Sequence, residues 1–547
     1  MTPSDRRPFL LLLLLLLVVS ACASGPSTPS DATPAPESAG VEGPREAPEA
    51  WHLLDLELDG VEGAGILRAH RELLSDRAPG RTVVVAVIDS GVDTTHTALH
   101  PHLWLNEGEV GGTGRDDDGN GYIDDVRGWN FIGGPDGRSV EKDTWEVARL
   151  HGLCTLGDDA PAAPPPPPDE ALCARIADDF RSEVREAEMI LENVRGIAIL
   201  LDQMLPLLEN AVGDSLTTMA VRDLRAADPR VEEARAFYLQ LADLGITSRD
   251  VDEALEELQT QLDYKLNPDF DPRPIVGDDY TDPTERIYGN PDVMGEFSSH
   301  GTHVAGLVLG LVEDPSLAPD LDEAIRILPI RAVPNGDERD KDIANAIRYA
   351  VDQGAHIINM SFGKSYSPQK EVVDDAVRYA LEAGVLFVHA AGNSATDLDL
   401  EPSFPSRHFL DGGEAELWLE VGATTWRGAD TLAAPFSNYG ARTVDLFAPG
   451  ADVVSTTPDG GWEANSGTSM AAPVVSGVAA LVMAWYPELT TREVREILLE
   501  TATRHPERQV IRPGTEGERI PFGELSSTGG IVNAHAALLE AARRSRP

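Results

Sequence analysis

The chain has 547 residues, 42% of them hydrophobic, enough for one large domain with insertions or for two or three ordinary ones. Its 44 Lys and Arg stand against 92 Asp and Glu, a formal net charge of -48. Such a surface repels nucleic acid and anionic lipid, so no nucleic-acid partner is expected, and the excess carboxylate reads either as solubility or as calcium binding.

Arg6 and Arg7 precede an apolar run over residues 9–19 that ends in Ser20-Ala21-Cys22. A charged start, a short apolar core and small residues mark a secretory signal peptide over residues 1–21, and the run is too short for a comfortable membrane span. Val19-Ser20-Ala21-Cys22 resembles the bacterial lipobox. That resemblance implies cleavage before a lipid-bearing Cys22 and an exported bacterial lipoprotein, anchored in a membrane and facing the periplasm or cell surface. The alternative is ordinary cleavage after Ala21 or Ala23. Residues 22–50 are nearly all Ala, Pro, Ser, Gly, Glu and Thr. They bury too little apolar surface to offset their ordering entropy, so a disordered tether is expected.

Trp51-His52-Leu53-Leu54 opens the folded part, residues 51–547, and a helix-like stretch follows over residues 64–74. Residues 81–88 form a continuous β-branched run ending at Asp89-Ser90-Gly91, the pattern of a parallel strand buried on both faces. Similar runs recur at 325–330, 356–360 and 385–390. Helical patterns at 342–353 and 370–383 lie between them, each closed by a glycine, Gly354 and Gly384. This alternation predicts an α/β fold with a doubly wound, mostly parallel sheet and functional loops at the carboxyl ends of its strands. From about residue 150 to 270 the pattern breaks. A proline run at 164–168 gives way to apolar residues at helical spacing: Ile190, Leu191, Val194, Ile197 and Leu201, then Leu255, Leu258 and Leu262. An inserted helical hairpin or small bundle is expected there, with its stripes as packing surface. Cys154 and Cys173 flank the proline run. In an exported chain they suggest one disulfide; the alternative is two free thiols.

Three short segments sit at strand ends or helix starts. They are Val87-Ile88-Asp89-Ser90-Gly91-Val92, His300-Gly301-Thr302-His303-Val304-Ala305-Gly306 and Ser466-Gly467-Thr468-Ser469-Met470-Ala471-Ala472-Pro473. Singly, each has a plain explanation as a turn carboxylate, a metal-binding histidine pair or a helix start. In the order Asp, His, Ser they resemble the three active-site signatures of the subtilisin family, over about residues 80–150 and 275–545. The resemblance implies a serine endopeptidase that hydrolyses peptide bonds through an acyl-enzyme, with Asp89, His300 and Ser469 as its triad. The residue types suit that chemistry. A serine hydroxyl needs a base to take its proton, a histidine can serve as that base and then protonate the leaving amine, and an aspartate holds the imidazole tautomer. His303 is a rival base; the resemblance selects His300, and no Glu lies between the two as a HExxH zinc site requires.

The rest of the site follows from the same resemblance. Residues 470–486 are apolar nearly all round, so Ser469 should begin a buried helix whose N-terminus helps to hold an oxyanion. Ala391-Gly392-Asn393 resembles the segment whose asparagine completes that hole, and Ser361-Phe362-Gly363 the one that pairs with an extended protein or peptide substrate. Asp116, Asp118, Asn120, Tyr122 (through its carbonyl) and Asp124 resemble the start of an EF-hand-like loop, with Asp125 substituting for the missing acidic twelfth residue, which here is Arg127. A structural Ca2+ is expected there, against the alternative of an acidic turn; no organic cofactor is expected. After His96 the chain has Thr97-Ala98 where many relatives have Pro-Asp, which puts the calcium site using that aspartate in doubt. The stretch between tether and first strand is short for the usual inhibitor-like propeptide, and a monomer is expected. Rival readings are a catalytically silent binding scaffold and an esterase.

Overall fold

The structure, a computed structural model, describes residues 47–156, 168–213, 216–319, 321 and 324–546. The signal peptide, Cys22 and nearly all of the tether lie outside the described residues. The chain divides into two compact units, one of them Asp169–Pro268 and the other comprising nearly all the remaining described residues.

The larger unit is built on β1 (Val83–Asp89), in which Val83, Val85 and Val87 face one apolar cluster and Ala86 and Ile88 face another. A strand buried on both faces has no room for alternation with polar residues, which is why the sequence reads as a continuous apolar run. In chain order follow β2 (Trp129–Asn130), α1 (Glu146–Leu156), then α2 (Glu170–Val212), α3 (Pro229–Asp243) and α4 (Ser248–Thr260) of the smaller unit. The larger unit resumes with α5 (Ser299–Val308), β3 (Ile325–Arg331), α6 (Asp340–Asp352), β4 (Ile357–Met360), α7 (Lys370–Glu382) and β5 (Leu386–Ala390). It continues through β6 (Trp418–Thr424), β7 (Leu446–Pro449), the antiparallel pair β8 (Val453–Thr457) and β9 (Gly461–Asn465), and α8 (Thr468–Trp485). It ends with α9 (Thr491–Thr501), β10 (Thr503–Arg504), the pair β11 (Gln509–Ile511) and β12 (Arg519–Pro521), β13 (Gly530–Ile531) and α10 (Ala534–Arg544).

Nine strands form one sheet in the order β10-β13-β7-β6-β5-β4-β1-β3-β2, parallel throughout except between β10 and β13. Residues of α6 and α7 join the cluster on one face, and those of α5, α8 and α10 the cluster on the other. The α/β expectation is met. β1 lies between β3 and β4, so the strand order reverses beside it, and the crevice at its carboxyl end is where such sheets place their ligands. α8 is long and apolar enough to cross a membrane, yet all its residues are buried; it is the core helix of this face. The first described segment belongs to the same core: Trp51 and Leu53 are buried, and the Trp51 indole donates to the Ala451 carbonyl at 3.1 Å.

The smaller unit is an all-helical bundle. Its core contains Leu191, Val194, Ile197 and Leu201 of α2 with Leu258 of α4, with Ile190, Leu255 and Leu262 at the margin. Thr247 and Asp250 form a capping box at the start of α4. The bundle spans Asp169–Pro268, and α1 belongs to the larger unit. Cys154 and Cys173 are both disulfide-bonded.

Candidate active site

Asp89 closes β1, and Gly91 turns the chain at φ 127°, where a Cβ would stand 2.0 Å from the Met294 carbonyl oxygen. α5 packs against this turn. A Cβ on Gly301 would lie 2.2 Å from the Gly91 oxygen and 3.1 Å from Asp89 Oδ1, so only glycine lets the helix come in. That approach sets His300 Nδ1 2.7 Å from Asp89 Oδ1. Burial pushes the Asp89 carboxyl up to about 6, while the Ser90 N–H, donating to Oδ1 at 2.8 Å, pulls the other way. His303, one turn along, is fully buried with Nε2 3.0 Å from the Glu463 carbonyl, and burial holds its pKa down to about 3. Of the two histidines, the structure pairs His300 with the carboxylate.

Ser469 is in the first turn of α8, where amides have no partner within the helix. Its Oγ donates to the Ser361 carbonyl at 3.0 Å, and Ser361 Oγ donates back to the Ser469 carbonyl at 3.0 Å. Among the described residues no hydrogen bond joins Ser469 to His300. Contacts of this kind commonly tighten only once substrate binds. Behind Ser361, Ser476 Oγ donates to Asn359 Oδ1 at 2.8 Å and Asn359 Nδ2 donates to Ser361 Oγ at 3.0 Å, so a buried polar chain fixes the end of β4 to α8. Asn393 lies beyond β5. Its Oδ1 accepts from the Thr468 amide at 2.8 Å and from Thr468 Oγ at 3.1 Å, so the amide is anchored to α8 through its oxygen. Thr468 Oγ also accepts from the Gly392 amide at 2.9 Å. Nothing in the sequence marks Thr468 as the residue that ties the asparagine loop to α8, because its partners lie some 75 residues earlier, in the loop after β5.

In the 116–125 loop the carboxylates divide between those held by their own turn and those that converge. The carboxylate of Asp116 is taken up by the amides of Gly119, Asn120 and Gly121, and that of Asp124 by those of Thr113 and Gly114. Asn120 Oδ1 accepts from the Tyr122 amide, and the Tyr122 ring is buried, its hydroxyl donating to the Arg286 carbonyl. The carboxylates that converge are Asp118, Asp125 and Glu109, with oxygens within 4.8 Å of one another. Glu109 escaped the sequence reading because it precedes the motif and folds back onto it, accepting from the amides of Asp117, Asp118 and Asp124. Asp125 is fully buried, and burial pushes its carboxyl up to about 6. Three hard oxygen donors at that spacing, two of them buried, suit a calcium ion with ligand distances of about 2.3–2.6 Å.

The Asp89–His300 pair, a serine at the open end of a buried helix and an anchored amide together suit acyl transfer through a serine nucleophile, on a doubly wound α/β scaffold. The pattern of the subtilase family matches residues 80–516, and the chain belongs to that family. The thermophilic serine proteinase of Bacillus sp. (strain AK1) is 35% identical over 288 residues, 52% of this chain and 63% of that protein, so this chain spans less than two thirds of it. Subtilisin Savinase of Lederbergia lenta is 36% identical over 255 residues, 46% of this chain and 81% of the relative. The crystal structure of a cold adapted subtilisin-like serine proteinase aligns with 45% of this chain and 76% of its own at 29% identity, with a TM-score of 0.34.

Proposed function

We propose that this protein is an exported serine endopeptidase that cuts proteins through an acyl-enzyme, held at a membrane by lipid on Cys22. The observation that carries the catalytic reading is the 2.7 Å contact between Asp89 and His300 at the strand crevice into which α8 delivers Ser469. Ser469 attacks the scissile carbonyl as His300 takes its proton; Asp89 keeps the imidazole in the right tautomer; Asn393 Nδ2 and the Ser469 amide meet the oxyanion; and His300 then protonates the departing amine. Substrate lies extended along Ser361-Phe362-Gly363 and pairs with it as an added strand, which reads main chain and favours unfolded protein. Export is supported by the charged and apolar residues 6–19 and by the disulfide-bonded Cys154 and Cys173, since such bonds persist outside the reducing cytoplasm. Calcium, held by Glu109, Asp118 and Asp125, neutralises their mutual repulsion and stabilises the fold without entering the reaction. The enzyme acts as a monomer.

The test is labelling with a fluorophosphonate probe, followed by turnover of casein against a short ester. Labelling of the wild type but not of Ser469→Ala, with casein cleaved, supports the reading. An unlabelled wild type leaves a binding scaffold, and turnover of the ester alone leaves an esterase. Mass spectrometry of the mature N-terminus decides the anchor: an unmodified start beyond Cys22 refutes it.

A further inference from the structure

Beneath the cleft segment lies a buried histidine that the triad does not use. His389, on β5, is 1% exposed. Its Nε2 is 2.9 Å from the Phe362 carbonyl and its Nδ1 is 2.8 Å from Glu420 Oε1, on the neighbouring strand β6. Glu420 is 4% exposed, and its Oε2 accepts the Trp418 indole N–H at 2.8 Å. Proton counting constrains this chain. A carbonyl oxygen only accepts, so Nε2 carries a hydrogen. Oε2 already receives the indole hydrogen, so the proton in the Nδ1–Oε1 contact is the one that keeps the buried pair net neutral rather than a lone buried anion. With that proton present, Nε2 is held as a donor to Phe362.

We infer that His389 is a positioning residue for substrate binding: held by Glu420, it fixes the Phe362–Gly363 peptide plane so that the Gly363 N–H faces the substrate. In an extended segment successive carbonyls point to opposite sides. The Ser361 carbonyl faces Ser469 Oγ and the Phe362 carbonyl faces His389. In a trans peptide the Gly363 N–H points opposite to the Phe362 carbonyl, so it returns to the side of the nucleophile. Gly363 is exposed there, ready to meet a carbonyl of a paired substrate strand. The charged groups around the pair are Asp445, whose Oδ2 accepts the Glu420 amide at 2.8 Å, and Arg407 and Arg495, which both bind Asp445.

The inference rests on the strand-pairing reading of the cleft, and steady-state kinetics on two substrates separates them. One substrate is a peptide anilide with four residues on the acyl side; the other is a single-residue ester that cannot reach Gly363. His389→Leu is expected to raise KM for the peptide roughly tenfold with little change in kcat, and to leave the ester unaffected. His389→Gln, which keeps a donor, should restore most of the KM. Equal losses on both substrates, or an unchanged peptide KM in His389→Leu, overturn the positioning role. Should His389→Leu fail to fold, equal losses on both substrates in His389→Gln overturn it instead. A wild type with the same KM for both substrates overturns strand pairing and this inference with it.

Discussion

Asp89 is buried with Oδ2 lacking a hydrogen-bond partner among the described residues, so its negative charge rests on His300 and the Ser90 amide. With its pKa pushed up to about 6, the acid limb of kcat/KM should fall near pH 6. Asp89→Asn keeps the shape but permits the wrong tautomer, and turnover should drop by about four orders of magnitude. Turnover within tenfold of wild type would remove Asp89 from the triad. His52 tests burial alone. It is fully buried, both ring nitrogens lack partners among the described residues, and burial lowers its pKa to about 3. The unfolded chain therefore takes up a proton that the folded chain refuses between about pH 6.5 and 3. The associated stability is complete above about pH 6.5 and is lost as pH falls through that window; Asp89, shifted upward, contributes with the opposite sign. In a Ser469→Ala background, His52→Phe should narrow the drop in melting temperature between pH 7 and pH 4.5. An unchanged drop would mean that His52 is protonated in the fold.

Between elements, the site depends on how β4, β5 and α8 are fastened together. Thr468 holds the Asn393 loop to α8 through its hydroxyl and its amide. Thr468→Val keeps the amide contact but leaves the Gly392 N–H without its acceptor, a penalty of about 1–3 kcal/mol that falls on the oxyanion hole. Turnover should fall about tenfold with KM nearly unchanged, a smaller effect than the two to three orders of magnitude expected for Asn393→Ala. If Thr468→Val matched wild type in kcat, the hydroxyl would be packing only.

For the whole molecule, the acidic cluster bears on stability. On the proposed calcium reading, saturation at about one hundred times the dissociation constant would add roughly 2.7 kcal/mol to the folded state. Chelation should lower the melting temperature of the Ser469→Ala protein, while an initial rate taken before unfolding stays the same. Glu109→Gln should abolish the calcium response. Asp116→Asn should retain it, because that carboxylate lies outside the converging trio. The reverse outcome would restore the ligand set expected from the motif alone.

By itself the sequence determined the sheet and the candidate residues for the reaction. Strands buried on both faces must be continuously apolar, as residues 81–88 are, and a serine nucleophile, its base and its orienting carboxylate occupy short contiguous signatures. The helical bundle was legible from the spacing of Leu191, Val194, Ile197 and Leu201. Tertiary structure alone decided that Glu109 rather than Asp116 or Asp124 joins the carboxylate cluster, and that Thr468 and His389 brace the site from behind. Each of these depends on a contact between residues distant in the chain or folded back on it, where burial and hydrogen-bond geometry, rather than local spacing, select the partner.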